Sequence, residues 1–319
     1  MPLDPHLMHQ PTAVSPARTA YCRFAPGRLD VRMWVALVWI VMMAGLIWSV
    51  TSRNSMVSKS AAGVRLATIP AVVAPAAAGK PWKVSLPGNV ALDLVWIAPG
   101  TFTMGSPPTE VGRNANEGPQ TQVALTKGFW LGKYLVTQGQ YQAVMGSNPS
   151  YFKALGKDVP VEQVSWNDAM MFCQKLTAQE QAAGRLPAGY AFTLPTEAQW
   201  EYACRAGTTG PYAGNLDAMG WYAQNSNNKT HPVGSKQPNA WGLYDMHGNV
   251  WEWCTDWFGP DPGGSVVDPL GPASGAVRVI RGGCWLHDAA SCRSAFRFGG
   301  EPGNRGHALG FRLALSPGP

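Results

Sequence analysis

The longest apolar stretch of the chain runs over residues 33–52 and contains no charged side chain (MWVALVWIVMMAGLIWSVTS). As an α-helix, a segment of this length crosses the ~30 Å hydrocarbon core of a membrane. Trp34 and Trp48 lie near its two ends, where aromatic side chains favour the membrane interface. A buried core helix is the alternative, but the segment has no polar face. The pattern therefore predicts one transmembrane helix over residues 33–52.

The charges around this segment predict its orientation. The first 32 residues contain four arginines, whereas the nearest basic residues after the span are Arg53 and Lys59. Because Lys and Arg are retained on the cytoplasmic side, residues 1–32 are expected to form a short cytoplasmic segment. Residues 53–84 are rich in Ala and Pro and are typical of a linker. We therefore expect a single-pass protein of a bacterial-type inner membrane, with residues 85–319 in the periplasm or otherwise outside the cytoplasm.

Beyond the linker, short apolar runs alternate with Gly, Pro, Asn and Asp, and three helix starts can be recognised. Each has a Thr or Ser cap, followed three residues later by a Gln or Asp able to bond back to the backbone of the cap. Gly146 is placed to end the first helix. The three starts are Thr137-Gln138-Gly139-Gln140, Ser165-Trp166-Asn167-Asp168 and Thr196-Glu197-Ala198-Gln199.

Short β-branched and aromatic runs between and after these helices predict strands. They are separated by turns, and no internal repeat of 20–50 residues is present. We therefore predict one α+β domain over residues 85–319, with a low content of regular secondary structure. The strand candidates are Leu94–Ile97, Phe102–Met104, Val279–Arg281 and Gly310–Ala314.

Composition excludes several classes of protein. The 319 residues include 36 Gly, 27 Pro and 14 Trp, and only 14% are charged. So many aromatic and so few charged residues exclude intrinsic disorder, and this much Gly and Pro excludes a coiled coil. The net charge of +6 arises from scattered Lys and Arg without a basic cluster, so no nucleic-acid partner is expected.

Ten short blocks, in order along residues 90–315, resemble the formylglycine-generating enzyme family, also called sulfatase-modifying factors. The resemblance implies a C-type-lectin-like fold. Members with oxidase activity convert a cysteine of a client sulfatase to formylglycine. The blocks are Phe102–Ser106, Leu131–Tyr134, Val136–Gln138, Asn148–Phe152, Pro160–Trp166, Leu194–Ala203, Asn239–Met246, Gly248–Trp253, Arg281–Gly283 and Gly310–Arg312.

The oxidases of this family hold copper(I) with a Cys-x4-Cys pair shortly after the block that matches Arg281–Gly283. Here Cys284, His287 and Cys292 follow that block instead, so the Cys-x4-Cys spacing is missing. One imidazole and two thiols are an acceptable ligand set for copper or zinc, which makes these three residues the candidate catalytic group. The alternative is that Cys284 and Cys292 are inert buried residues or form one disulfide. A strand continued through Cys284 would place Cys284 and His287 on opposite faces.

Two further cysteines, Cys173 and Cys204, match family cysteines that pair with partners near the C-terminus in the oxidases. No cysteine follows Cys292 in this chain. We therefore expect Cys173 and Cys204 to be free or bonded to each other.

The resemblance also implies structural calcium. The block Gly248–Trp253 matches a calcium site that would use the carbonyl groups of His247, Gly248 and Val250 and the side chain of Glu252. Calcium binds six to eight oxygen atoms, which such a carbonyl-rich loop with a carboxylate can supply. Two residues, Asn225 and Ser226, resemble part of a second calcium site, although the insertion that completes it in relatives is absent.

Three classes of function remain open. The first is an anchored, exported protein that modifies or matures an exported protein or peptide client, without strict copper-dependent formation of formylglycine. The second is a non-catalytic, lectin-like module that binds a ligand or protein through the surface around residues 285–309. The third is an accessory subunit of an envelope complex. Whether the chain is an enzyme is left open by its residues, because function depends on the site and not on the fold.

Overall fold

The computed structural model describes residues 79–317, which form three sheets, four α-helices and long ordered loops. The strands are β1 (Trp82–Leu86), β2 (Val90–Ile97), β3 (Gly100–Met104), β4 (Thr121–Leu125), β5 (Phe129–Gly132), β6 (Tyr190–Thr193), β7 (Trp251–Trp257), β8 (Gly264–Val267), β9 (Arg278–Arg281), β10 (Phe298–Gly300), β11 (Leu309–Gly310) and β12 (Ala314–Pro317). The helices are α1 (Gln138–Met145), α2 (Trp166–Ala182), α3 (Glu197–Arg205) and α4 (Leu216–Met219).

The three predicted helix starts are confirmed by their caps. Thr137, Ser165 and Thr196 are the N-caps of α1, α2 and α3, and each forms a complete capping box. Gly146 ends α1 in a left-handed conformation, as its position predicts. These helices begin where local side-chain bonds satisfy backbone N–H groups that no preceding turn can satisfy.

The strands form three sheets, of which the largest carries much of the core. Its order is β1-β2-β5-β12-β6, and a second sheet has the order β10-β9-β7-β11. The smaller third sheet is β3-β4-β8. In the largest sheet Trp130 of β5 lies opposite Trp96 of β2, and the two rings meet edge to face at 4.5 Å. The mixture of helices and sheets agrees with the predicted α+β class.

Two predicted boundaries differ from the structure. The strand predicted over Gly310–Ala314 is divided into β11 and β12, because Phe311 and Arg312 point into the core between two different sheets. At the other end, β1 begins at Trp82, inside the predicted linker 53–84. Trp82 is buried against Trp130 and Phe192, which gives this segment a place in the sheet.

The predicted membrane anchor lies outside the described residues. Between residues 79 and 317, no helix combines the length and the hydropathy required to cross a bilayer. The span predicted over residues 33–52 and most of the linker belong to the part of the chain that is not described.

Buried charges connect α3 to the loops around it. Glu197 accepts two hydrogen bonds from Arg297, each of 2.6 Å, and Glu201 is paired with Arg205 and Arg281. Asp256, at the end of β7, is buried beside Glu197 without an arginine in contact. Burial, reinforced by the negative charge of Glu197, raises the pKa of Asp256 from 3.8 to about 7.

Asp256 is expected to make stability depend on pH. Because its pKa is raised in the native state, the folded chain holds a proton that the unfolded chain releases between about pH 4 and 7. The contribution of Asp256 to stability therefore decreases as the pH rises through this window. In choline chloride, we expect Asp256→Asn to unfold at a higher temperature than the wild type at pH 8, and we expect the difference to decrease toward zero near pH 4. Calorimetry over this range checks the prediction, and a lower Tm for the variant at pH 8 would contradict it.

Candidate functional site

Two consecutive glycines determine the path of the chain after β9. Gly282 and Gly283 both adopt positive φ angles, of 97° and 74°, which glycine reaches without strain. A Cβ atom on Gly283 would lie 2.4 Å from the Sγ atom of Cys292, so the close approach also requires glycine. The strand ends at Arg281, and the chain then turns over the edge of the second sheet instead of continuing as a strand.

This turn brings Cys284 and His287 together. The Sγ atom of Cys284 lies 3.0 Å from Nδ1 of His287, and the His287 N–H donates to the carbonyl of Cys284 at 3.2 Å. The indole N–H of Trp251 donates to the same Nδ1 atom at 3.1 Å. The expectation that the two side chains lie on opposite faces is therefore wrong, because the strand on which it depends stops before Cys284.

The surroundings of Cys284 favour the neutral thiol. Burial raises its pKa to about 11. The backbone N–H groups of Leu286 and His287 and the indole of Trp251 oppose this rise, because they stabilise the thiolate. An imidazole within hydrogen-bond distance of a thiol is the arrangement in which a base accepts the proton of a nucleophile. The pair thus has the geometry for thiol chemistry, although the resting thiol is protonated.

Cys292 occupies a different environment from Cys284. Its Sγ atom lies beneath Gly283, and burial raises its pKa well above the usual value. The described cysteines, which are Cys173, Cys204, Cys254, Cys284 and Cys292, are all buried and free, so neither disulfide considered from the sequence is formed. Among residues 79–317, no three His, Cys, Asp or Glu side chains converge on a position for a metal ion.

Aromatic side chains, some buried and some exposed, lie near the Cys284–His287 pair. Tyr151 is 70% exposed and Phe298 55% exposed, values unusual for large apolar groups. The ring of Phe152 packs edge to face on Trp285 at 5.5 Å, and Phe298 stacks on Trp251 at 6.1 Å. We define the aromatic surface as Tyr151, Phe152, Trp251, Trp285, Phe298 and His307.

A buried carboxylate supports one side of this surface. The two oxygen atoms of Glu162 accept the backbone N–H groups of Tyr151 and Phe152, each at 2.9 Å. Sequence reasoning recognised the blocks around Glu162 and Tyr151 but assigned neither residue a role. Both the Ser-Tyr-Phe segment and the downstream glutamate belong to family blocks in the sequence. Nothing in the local sequence indicates that the two segments contact each other.

Comparison with known proteins identifies the fold and family. The family model described as "Sulfatase-modifying factor enzyme 1-like domain" matches residues 85–317. The chain belongs to this family. The match covers nearly the whole described part of the chain and confirms the resemblance noted from the sequence blocks.

The proteins similar to this sulfatase-modifying-factor domain include a named enzyme and proteins whose names state no activity. A formylglycine-generating enzyme of Streptomyces coelicolor is 40% identical over 177 residues, which are 49% of this chain and 52% of that enzyme. The chain thus spans about half the length of that curated relative. Treponema denticola variable protein 1 is 33% identical, with a TM-score of 0.66 over 74% of this chain and 99% of its own. PvdO from Pseudomonas aeruginosa is 28% identical, with a TM-score of 0.61 over 76% and 99%.

The glutamate of the family's calcium-site block has an internal partner here. Glu252 is fully buried and accepts hydrogen bonds from Arg312 at 2.6 and 2.9 Å and from the Trp200 indole at 3.0 Å. A calcium ion at this block would therefore share its carboxylate with an arginine. The calcium site stays a prediction, and Arg312 is the residue that sequence reasoning left without a role.

The side chains of the other residues in the predicted calcium sites make local bonds. The ring of His247 donates through Nδ1 to the Cys292 carbonyl at 2.8 Å and accepts the Ala213 N–H at Nε2, so the imidazole is neutral. Burial lowers the pKa of His247 to about 4. Asn225 accepts the Tyr222 N–H, while the Ser226 hydroxyl donates to the Trp285 carbonyl. The backbone carbonyls of Gly248 and Val250 lie in the loop that leads into β7.

We expect Glu252→Gln to destabilise the domain in the absence of calcium. The change leaves Arg312 buried without its counter-charge, a loss of about 3 kcal/mol in the free energy of unfolding. Denaturant unfolding of both proteins in EGTA measures this loss. If calcium also binds, it should raise the Tm of the wild type and not that of the variant. Equal stability of the two proteins in EGTA would contradict the structural role of the pair.

Proposed function

We propose that this chain is a membrane-anchored, exported sulfatase-modifying-factor protein that modifies or matures an exported protein or peptide client. The client would bind across the aromatic surface and react at the Cys284–His287 pair. The observation that carries the proposal is the 3.0 Å contact between Cys284 Sγ and His287 Nδ1, beside Trp251 of that surface. Membrane attachment and export are supported by the uncharged segment 33–52 and the arginines before it.

The proposed chemistry begins with transfer of the Cys284 proton to Nδ1 of His287. The Trp251 indole and the two backbone N–H groups of the turn then stabilise the thiolate, which is the nucleophilic form. The family's oxidases hold copper(I) with a Cys-x4-Cys pair, whereas that spacing is missing from this sequence and Cys284 has an imidazole as its neighbour. We therefore propose thiol-based chemistry instead of copper-dependent oxidation of a client cysteine.

A second candidate function is binding without catalysis. It is favoured by the exposure of Tyr151 and Phe298 together with the complete burial of the Cys284 thiol. Aromatic side chains at the rim of a site supply contact area at low entropic cost, as they do in many binding surfaces. In this case the aromatic surface would hold a partner in the envelope, and Cys284 would have only a packing role.

Alkylation of the full-length protein with iodoacetamide distinguishes the two candidates. If His287 acts as the base, Cys284 is alkylated at pH 7, and His287→Asn lowers the rate at least tenfold because an amide keeps the Trp251 bond but accepts no proton. Mass spectrometry of the labelled peptide reports the rate. Cys292→Ser is the matched control and should leave it unchanged. The binding function would be favoured if Cys284 is not alkylated, or if His287→Asn leaves the alkylation rate of Cys284 unchanged.

The absence of copper-dependent oxidation is tested with a client-like peptide. We expect no aldehyde when the full-length protein is incubated with copper(I), oxygen and a Cys-x-Pro-x-Arg peptide, because the sequence lacks the Cys-x4-Cys spacing with which the family's oxidases hold copper(I). Hydrazide capture followed by mass spectrometry detects the product with high sensitivity. An authentic formylglycine-generating enzyme serves as the positive control, and aldehyde formed by this chain would overturn the prediction.

A further inference from the structure

A small buried cavity lies beside the N-terminus of α3, on residues that the proposed function does not use. Its volume is about 50 Å³, which is enough for an ion or water molecules. The walls come from the start of α3, the end of β7 and the loop after β7. The charged residues that line it are Glu197, Asp256, Asp261 and Arg297.

One buried carboxylate oxygen in this wall has no hydrogen-bond partner. Asp261 is 7% exposed and forms an ion pair with Arg297 at Oδ1, at 2.8 Å, but its buried Oδ2 atom has no partner among the described residues. Asp256 accepts the Glu197 N–H and the Thr255 hydroxyl at Oδ2, each at 2.9 Å, and no hydrogen bond from residues 79–317 reaches its Oδ1 atom. A buried acceptor without a donor, such as Oδ2 of Asp261, is rare in native proteins and calls for a ligand.

The loop after β7 supplies few donors to the cavity. Four of its lining residues, Pro260, Pro262, Pro269 and Pro272, have no backbone N–H group. Their carbonyl groups remain as acceptors. A cavity rich in oxygen acceptors and poor in donors suits a cation more than it suits an anion or an apolar molecule.

One acid of the cavity has no arginine in contact. Asp256 is the carboxylate left without an arginine within salt-bridge distance, since Arg278 is held between two tryptophan rings and donates to the Thr255 carbonyl. A buried carboxylate without a contacting cation is costly, so a bound cation would stabilise it. The other buried acids, Glu197, Glu201 and Asp261, pair with the buried arginines Arg205, Arg281 and Arg297.

We propose that this cavity binds one hard metal cation through the free oxygens of Asp256 and Asp261, with carbonyl groups of the proline-rich loop and water completing the shell. Glu197 is turned toward Arg297, so the site has two carboxylate ligands and not three.

Thermal unfolding of the full-length chain in detergent tests the site. At pH 8 we expect sodium, magnesium or calcium chloride to raise the Tm by about 5 °C above choline chloride at equal ionic strength. The shift should disappear in Asp256→Asn and Asp261→Asn, and equilibrium dialysis should show one bound ion fewer per chain.

Two variants serve as controls for this experiment. Asp158→Asn removes an exposed carboxylate elsewhere and should retain the shift. Glu252→Gln, which removes the carboxylate of the other candidate calcium site, should retain the shift in sodium chloride and in magnesium chloride. The proposal is overturned if no cation exceeds choline, or if the shift survives in both Asp256→Asn and Asp261→Asn. It is equally overturned if Glu252→Gln alone removes the shift, because the ion would then be bound at Glu252.

Discussion

The buried pair of Arg312 and Glu252 is the contact on which the arrangement of the sheets depends. Arg312 follows β11 of the second sheet and precedes β12 of the largest one, and it donates to Glu252 in β7. The same guanidinium reaches the carbonyls of Gly132 in β5 and Tyr244 in the loop before β7, each at 3.0 Å. One side chain thus joins two sheets and a loop. Because an unpaired buried charge is very costly, these parts must come together in one geometry or not at all.

The geometry of the candidate site depends on the contact between Arg312 and Glu252. Glu252 is preceded by Trp251, whose indole contacts His287, so the pair that orders β7 also determines where the indole N–H points. The loop before β7 is joined to the β9 turn by a bond from the Gly248 N–H to the Gly282 carbonyl at 2.7 Å. The position of Cys284 therefore depends on elements that are far apart in sequence but are held by one buried charge pair.

This dependence explains what could be predicted from the sequence. The helix starts at Thr137, Ser165 and Thr196 were predictable because a capping box is a local interaction. The contact of Cys284 with His287 was not, since it requires two left-handed glycines that end a strand early. The aromatic surface was also missed, because Tyr151, Trp251 and Phe298 come from segments about 50 to 100 residues apart. Family resemblance located the blocks, but it could not assign Arg312 its place between the sheets.

In the segment that carries the candidate site, the side chains that form buried ion pairs are different from the side chains that are exposed. Arg293 forms a buried ion pair with Glu117, and Arg297 forms one with Glu197. These two ion pairs fix the segment in place. Leu286 and Phe298, by contrast, are exposed and contribute little to these bonds. Substitutions at exposed positions would leave the anchors intact, since well-separated changes act nearly independently. A fold built in this way can keep one frame while the chemistry of its surface changes, which is consistent with a chain that retains the family blocks without the Cys-x4-Cys pair.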